Sequence, residues 1–459
     1  MAISNKKNSR RRKGTPLEIV SSRFTLDKFY DKLDAVEALP AVMKGRVTRI
    51  IGNVVQARLP NARIGELCTI EPHGRPPVKA QVVGFDEEDI FLTPFDQLHE
   101  VGPKTPVINH GHSLEIPVGD ALLGRVIDSM GEPIDGKGPI ECLEKYPVRA
   151  LAPESMKRER ITEPLATGVK AIDSCFTLGE GQRVGVFSSA GVGKSSLLGM
   201  ISRNSTADVN VIALVGERGR EVLDFLEENL GEDGLARSVV IVSTSDDPAL
   251  RRITAAYAAT AVAEYFRDQG KAVMLLMDSL TRFARALREI ALSIGEPPVR
   301  QGYPPSVFTT LPELLERAGK TGEGSITAIY TILLASEQLD DVLGEEVRSI
   351  LDGHLYLNSR LAQVQHYPAI DIGKSNSRLM DSVVSEQHLA IAEELKRYWS
   401  VYEENRDLIS IGAYKAGTDE AIDEAIFKRE FLRSFLTQRK EMTISFEEVL
   451  SRALSVVEA

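Results

Sequence analysis

Cysteine is scarce in this chain. Cys68, Cys142 and Cys175 are an odd set without C-x-x-C spacing, which argues against a disulfide framework or a zinc site and for a reducing compartment. The histidines include no H-E-x-x-H, and His110-Gly-His112 alone is too little for a structural metal. Long apolar runs are missing as well. Stretches such as Ala272–Met277 fall far short of the roughly 20 residues a membrane helix requires. Nor does positive charge dominate: 55 Lys and Arg against 66 Asp and Glu give −11, which weighs against a general nucleic-acid binder. Between Ala41 and Pro94 the only aromatics are Phe85 and Phe91, too few for a single-strand stacking platform.

Against that acidic background, Lys6, Lys7, Arg10, Arg11, Arg12 and Lys13 form a basic run in a Ser/Asn-rich tail, residues 1–20. No apolar segment follows it, so it is not a secretory signal. It reads either as a disordered, solubilising tail or as an electrostatic contact with an anionic membrane or partner. Leu26–Leu39 reads as a short charged helix.

Three regions follow. Short β-rich runs punctuated by Gly, Pro and Asn (45–52, 54–59, 78–83 and 90–93) predict a small β-barrel within residues 21–105. Residues 106–379 alternate strands and helices, the pattern of a parallel sheet with crossover helices. Its buried-strand candidates are Arg183–Phe187, Val209–Val215, Val239–Ser243, Val273–Met277 and Ser325–Leu334. Leu250, Ile253, Tyr257, Ala261 and Tyr265 recur at helical spacing as a core stripe, placed so that Arg251 and Arg252 can face water. Residues 380–459 turn helical, with helices expected over Ala390–Tyr402, Asp419–Leu436 and Phe446–Val457. Ser445 and Glu448 stand at capping-box spacing before the last.

The strongest chemical signal is Ser188-Ser-Ala-Gly-Val-Gly-Lys-Ser195, between a predicted strand and a helix expected over Ser196–Ser202. That is the context of a P-loop. Ser189, Ala190, Gly191, Val192, Gly193, Lys194, Ser195 and Ser196 form the phosphate cradle. Gly191 and Gly193 let the backbone aim N–H groups at phosphate oxygens, and the helix N-terminus favours anions. Lys194 reaches the β- and γ-phosphates, and the Ser195 hydroxyl suits Mg²⁺. Ser188 replaces the motif's first glycine.

Asp278 ends an apolar strand, where a carboxylate holds the metal's water. Gly216-Glu-Arg-Gly-Arg-Glu221 follows another strand. Glu217 is placed to polarise the attacking water, Arg218 to contact the γ-phosphate, and Glu221 to join the metal's water shell. The plainer readings are a helix cap at Asp278 and, for the Gly216–Glu221 run, the charged first turn of a helix expected over Glu221–Leu230.

Leu123-Gly-Arg-Val-Ile-Asp-Ser-Met-Gly-Glu-Pro-Ile-Asp-Gly136 resembles the entry to the catalytic domain of rotary-ATPase subunits. Gly168-Val-Lys-Ala-Ile-Asp173, Gly302-Tyr-Pro-Pro-Ser-Val-Phe308, Leu314-Leu-Glu-Arg-Ala-Gly319 and Arg348-Ser-Ile-Leu-Asp-Gly-His354 narrow the resemblance to type III secretion and flagellar export ATPases. Arg63-Ile-Gly-Glu-Leu-Cys68 looks more like the injectisome type. The resemblance spans roughly residues 40 to 459. It implies an N-terminal β-barrel, a RecA-like ATPase domain and a C-terminal helical bundle, hydrolysing ATP with Mg²⁺. By position in the motifs, it implies that Tyr367 stacks on adenine and that Arg378 is a finger reaching the neighbouring subunit's ATP.

The implied partners are five further copies in a homohexamer, stator-like regulator and central stalk proteins, chaperone–substrate complexes and export-gate membrane proteins, without nucleic acid. The implied location is cytoplasmic, at the inner face of the bacterial inner membrane. Leu357-Asn-Ser-Arg-Leu-Ala362 departs from the family's usual Leu-Ser-Arg-Lys-Leu-Ala, placing Ser359 at the first arginine's position and Arg360 at the lysine's. Ala335-Ser-Glu-Gln338 replaces a common acidic, glycine-containing loop and is assigned no role. A flagellar export ATPase is the main alternative. A Rho-type nucleic-acid motor and a non-catalytic rotary-ATPase subunit are the more distant ones.

Overall fold

The computed structural model describes residues 43–334 and 341–459. The basic run, the expected 26–39 helix and Ala335–Gln338 lie outside the described residues.

Six antiparallel strands close a barrel in the order Met43–Ile51, Val54–Arg58, Asp89–Pro94, Val78–Asp86, Glu66–Ile70 and Pro106–Ser113. Alternate residues point inward, so Val47, Val55, Ala57, Ile70, Val82 and Leu92 pack a small core. The closing strand, Pro106–Ser113, lies beyond the boundary expected at residue 105. It pairs with the first strand through Met43 and Asn109. Its Asn, His and Gly residues hide it from a reading based on apolar runs.

The second sheet carries the P-loop. Its order is Asn376–Ser377, Gly353–Leu357, Arg183–Ser188, Ser325–Leu333, Ala272–Asp278, Val209–Glu217, Ser238–Thr244 and Arg125–Asp128. These neighbours run parallel except the short first strand, which is antiparallel, and a ninth strand, Gly319–Lys320, pairs antiparallel beside the start of Ser325–Leu333. Both faces are covered, and Val209–Glu217 is buried throughout, as expected where crossover helices pack on each side. The Ala249–Asp268 helix buries Leu250, Ile253, Tyr257, Ala261 and Tyr265.

Arg251 and Arg252 are half-buried and held by carboxylates. Arg251 donates to Asp96 Oδ1 and Asp128 Oδ2, each at 2.7 Å, and to the Phe95 carbonyl, tying the barrel to the sheet. Arg252 donates to Glu289 Oε2 at 2.7 Å. Carboxylates distant in sequence thus claim both guanidiniums.

On the P-loop helix, Lys194–Asn204, Gly199 rests on the neighbouring helical segment. A Cβ there would lie 2.6 Å from the Asn229 carbonyl oxygen. The expected Glu221–Leu230 helix is helical from Gly219 to Asp224 and widens into a π-helical turn over Phe225–Leu230.

Three helices complete the chain: Glu386–Ser410, Glu420–Leu436 and Phe446–Glu458. Ser385, Asp419 and Ser445 cap them with side-chain oxygens. Ser445 accepts from Glu448 N–H at 3.2 Å, but the Glu448 carboxylate accepts from Arg452, so only half of the capping box forms.

Candidate active site

Four strand ends meet on one edge of the parallel sheet, at Ser188, Leu333, Asp278 and Glu217. This carboxyl edge is where a doubly wound sheet binds its ligand. Gly191 (φ +80°) and Gly193 (φ +91°) turn the loop through conformations that side chains resist. Ser188 needs no such freedom. It is the last residue of its strand, paired with Leu333 on one side and Leu357 on the other, with no left-handed backbone. That explains why serine fits where the motif usually has glycine.

Lys194, the first helical residue, bends back over the sheet. Its Nζ lies 2.5 Å from Asp278 Oδ1, which also accepts from Thr331 Oγ1 at 2.9 Å. Glu217 ends the next strand, 7% exposed. Burial, reinforced by the Asp278 charge and a hydrogen bond to Glu221, pushes its carboxyl up to about 8 despite opposing Lys194 and Arg282 charges. The Glu221 carboxyl is lowered in turn, chiefly because it accepts from Glu217, with Arg218 assisting. Burial and the Asp278 charge thus both favour the neutral form of Glu217, a perturbation of the kind that clusters at functional sites.

Arg282 was not anticipated. Its guanidinium donates to Glu217 Oε2 at 3.2 Å and its Nε lies 3.2 Å from Oε1. It stands one helical turn beyond Asp278, a spacing that could have flagged it. Arg218, expected near the γ-phosphate, instead has a 75% exposed side chain and donates to Glu221 at 2.7 Å. The structure does not gather it with Lys194, Asp278 and Glu217.

The residues suited to magnesium are oxygen donors, as that ion prefers. Ser195 is the second residue of the P-loop helix, exposed beside the cradle. Asp278 receives both its hydrogen bonds on Oδ1. Glu221 is already engaged by Arg218 and fits an outer position better than a direct one.

Tyr367 lies against the loop, its ring 3.3 Å from where a Cβ on Gly193 would stand. A cavity of about 450 Å³ opens beside it, lined by Gly191, Gly193, Tyr367, Pro368, Gln438 and Lys440. Its far wall, from the segment preceding the last helix, was also not anticipated. Arg378 is remote from this site. It follows Ser377, which pairs with Gly353 opposite Val184, four residues before Ser188; that is roughly 13 Å down the sheet. It is exposed, and its guanidinium donates to the Arg348 carbonyl.

Residues 47–111 match the beta-barrel domain of the ATP synthase alpha/beta family, residues 168–377 its nucleotide-binding domain, and residues 384–453 the C-terminal domain of type III secretion EscN ATPases. The type 3 secretion system ATPase of Xanthomonas euvesicatoria is 48% identical over 415 residues, 90% of this chain and 94% of that protein. The flagellum-specific ATP synthase of Bacillus subtilis is 46% identical over 427 residues, 92% and 98% of the two chains. The assembled ATPase EscN of enteropathogenic E. coli superposes with a TM-score of 0.86 at 47% identity, covering 90% of this chain and all of EscN. EscN in complex with its central stalk EscO gives 0.83 at 46% identity, again over 90% of this chain and all of EscN. With its P-loop, strand-end carboxylates and C-terminal helices in place, this chain belongs to the type III secretion and flagellar export ATPase family, whose members are P-loop ATPases.

Proposed function

We propose that the chain works as a homohexamer that hydrolyses Mg·ATP to energise protein export through a type III secretion system, releasing chaperones and unfolding substrates at the export gate. The observation that carries the hydrolytic reading is the meeting of Lys194, Asp278 and buried Glu217 at adjoining strand ends.

The cradle Ser189–Ser196 binds the phosphates through backbone N–H groups, and Lys194 leaves Asp278 to meet the β- and γ-phosphates. Ser195 and the Asp278 carboxylate, with Glu221 beyond them, would hold magnesium, which would supply positive charge to offset that of the phosphates. Glu217, oriented by Arg282, accepts the proton of the attacking water. Arg218 turns from Glu221 toward the γ-phosphate, and Tyr367 packs on the base.

Arg378 acts on the neighbouring protomer's ATP. Its separation from its own P-loop and the solved assembly of EscN support that arrangement. EscN's complex with its central stalk supports a stalk partner here; stator-like, chaperone-bound and gate partners extend the same reading. No helix among the described residues is long and apolar enough to cross a membrane; a cytoplasmic place of work, docked at the inner membrane, follows from the export reading alone.

Glu217→Gln tests the hydrolytic reading. ATP binding should persist while turnover falls by about 10²–10⁴; wild-type turnover would remove Glu217 from its role. Flagellum-specific relatives match nearly as well, which keeps flagellar export as the second reading. Capture from source cells separates the two: needle-complex components select the first, hook and rod components the second.

A further inference from the structure

The segment joining the last two helices grips the nucleotide-binding face. Gln438, near its start, is 3% exposed, and its amide is fully used. Oε1 accepts from Lys170 N–H at 2.9 Å, and Nε2 donates to the Gly168 and Met442 carbonyls at 2.8 and 3.2 Å. Its own backbone N–H donates to the Tyr367 carbonyl at 2.8 Å. One side chain thus pins the Gly168–Lys170 turn, and the residue's backbone holds Tyr367.

Neighbouring bonds extend the grip. Lys170 Nζ donates to the Thr437 carbonyl at 2.7 Å, and Thr443 Oγ1 donates to Asn204 Oδ1 at 3.1 Å. The Arg203 guanidinium donates to the Lys440 carbonyl. The segment therefore touches Tyr367, which faces the N-terminal end of the P-loop helix at Gly193, and also that helix's C-terminal residues. A buried amide with every donor and acceptor engaged fixes its surroundings, because leaving any of those groups unpaired is costly.

We infer that Gln438 is a positioning residue for nucleotide recognition: by anchoring the Thr437–Thr443 segment it holds the Tyr367 ring where a nucleotide base stacks. This rests on the reading of Tyr367 as the base-stacking residue. The hydrogen bonds of Gln438 go to Gly168, Lys170, Tyr367 and Met442 and to no residue of the Ser189–Ser196 cradle, so the base contact is where its loss should be felt first.

The test compares Gln438→Met, Tyr367→Ala and the double variant in the full-length protein, by calorimetric binding of ADP and of pyrophosphate and by steady-state ATP turnover. Gln438→Met should weaken ADP binding and raise KM for ATP by roughly tenfold, the scale of one aromatic contact. Pyrophosphate binding and kcat should stay near wild type. The double variant should bind ADP no worse than Tyr367→Ala, since Gln438 acts through Tyr367. Unchanged ADP binding in Gln438→Met beside a weakened Tyr367→Ala overturns the inference and leaves the stacking role standing. Unchanged ADP binding in Tyr367→Ala overturns the stacking role itself. Equal losses for ADP and pyrophosphate in Gln438→Met would mean general loosening and also overturn it. Should Gln438→Met fail to fold, Gln438→Glu, which keeps the acceptor for Lys170 N–H, answers by the same readouts.

Discussion

Lys194 Nζ and Asp278 Oδ1 form an ion pair at 2.5 Å across the Ser325–Leu333 strand, with side chains only 12% and 4% exposed. The lysine proposed to bind phosphate thus has a structural partner of its own. Removing it strands a buried carboxylate with Thr331 alone. Lys194→Ala should abolish turnover and also lower the stability of the nucleotide-free protein by about 3 kcal/mol. Urea unfolding without nucleotide checks this, and an unchanged midpoint would show that the pair contributes nothing net.

Glu217 sets a pH dependence whose sign follows from its raised carboxyl. The folded state favours the neutral form, so the stabilisation is complete below the ordinary carboxylate range and is lost as pH rises through about 8. Glu217→Gln cannot ionise and escapes that loss. Measured without nucleotide or metal, its unfolding temperature relative to wild type should rise between about pH 6 and about pH 9. A constant difference across that range would mean the carboxyl is not raised.

Arg378 should be separable from nucleotide binding. Arg378→Ala is expected to cut turnover by about 10³ while ATP affinity holds. Mixing it with Glu217→Gln protomers should restore part of the activity, because some interfaces then pair an intact Glu217 with an intact Arg378. Turnover of the mixture against the two separate variants is the measurement.

Arg317 lies in Leu314-Leu-Glu-Arg-Ala-Gly319, fully buried, with Nε and Nη2 at 2.8 and 2.6 Å from the two Glu264 oxygens. Nη1 donates to the Val148 carbonyl. Arg317→Ala leaves Glu264 buried without its partner and should cost about 3–5 kcal/mol, read by chemical denaturation. The motif is thus a fold-holding device, remote from the phosphate chemistry.

What could be read in the sequence was local. The P-loop, Asp278 and Glu217 announce themselves because each ends a strand of continuous apolar residues, and the helical stripe of Leu250 to Tyr265 is periodic. What escaped was contact across the chain. Arg282 meets Glu217 over 65 positions and Gln438 meets Lys170 over 268, distances at which no spacing rule operates. The partners of Arg251 escaped for the same reason, since periodicity shows which face a residue occupies but not that Asp96 and Asp128 wait there. Arg218 was read correctly as following a strand end, but its side chain is drawn outward by Glu221.

Gly199 has one more implication. With no side chain between them, the helix that begins with Lys194 lies directly on the Asn229 carbonyl, in the helical stretch that starts just after Glu217. The two helical segments that carry Lys194 and follow Glu217 therefore meet backbone to backbone at this point, with no side chain as a spacer. A methyl group at that point would act as a wedge, forcing the two segments apart from a position outside the candidate site.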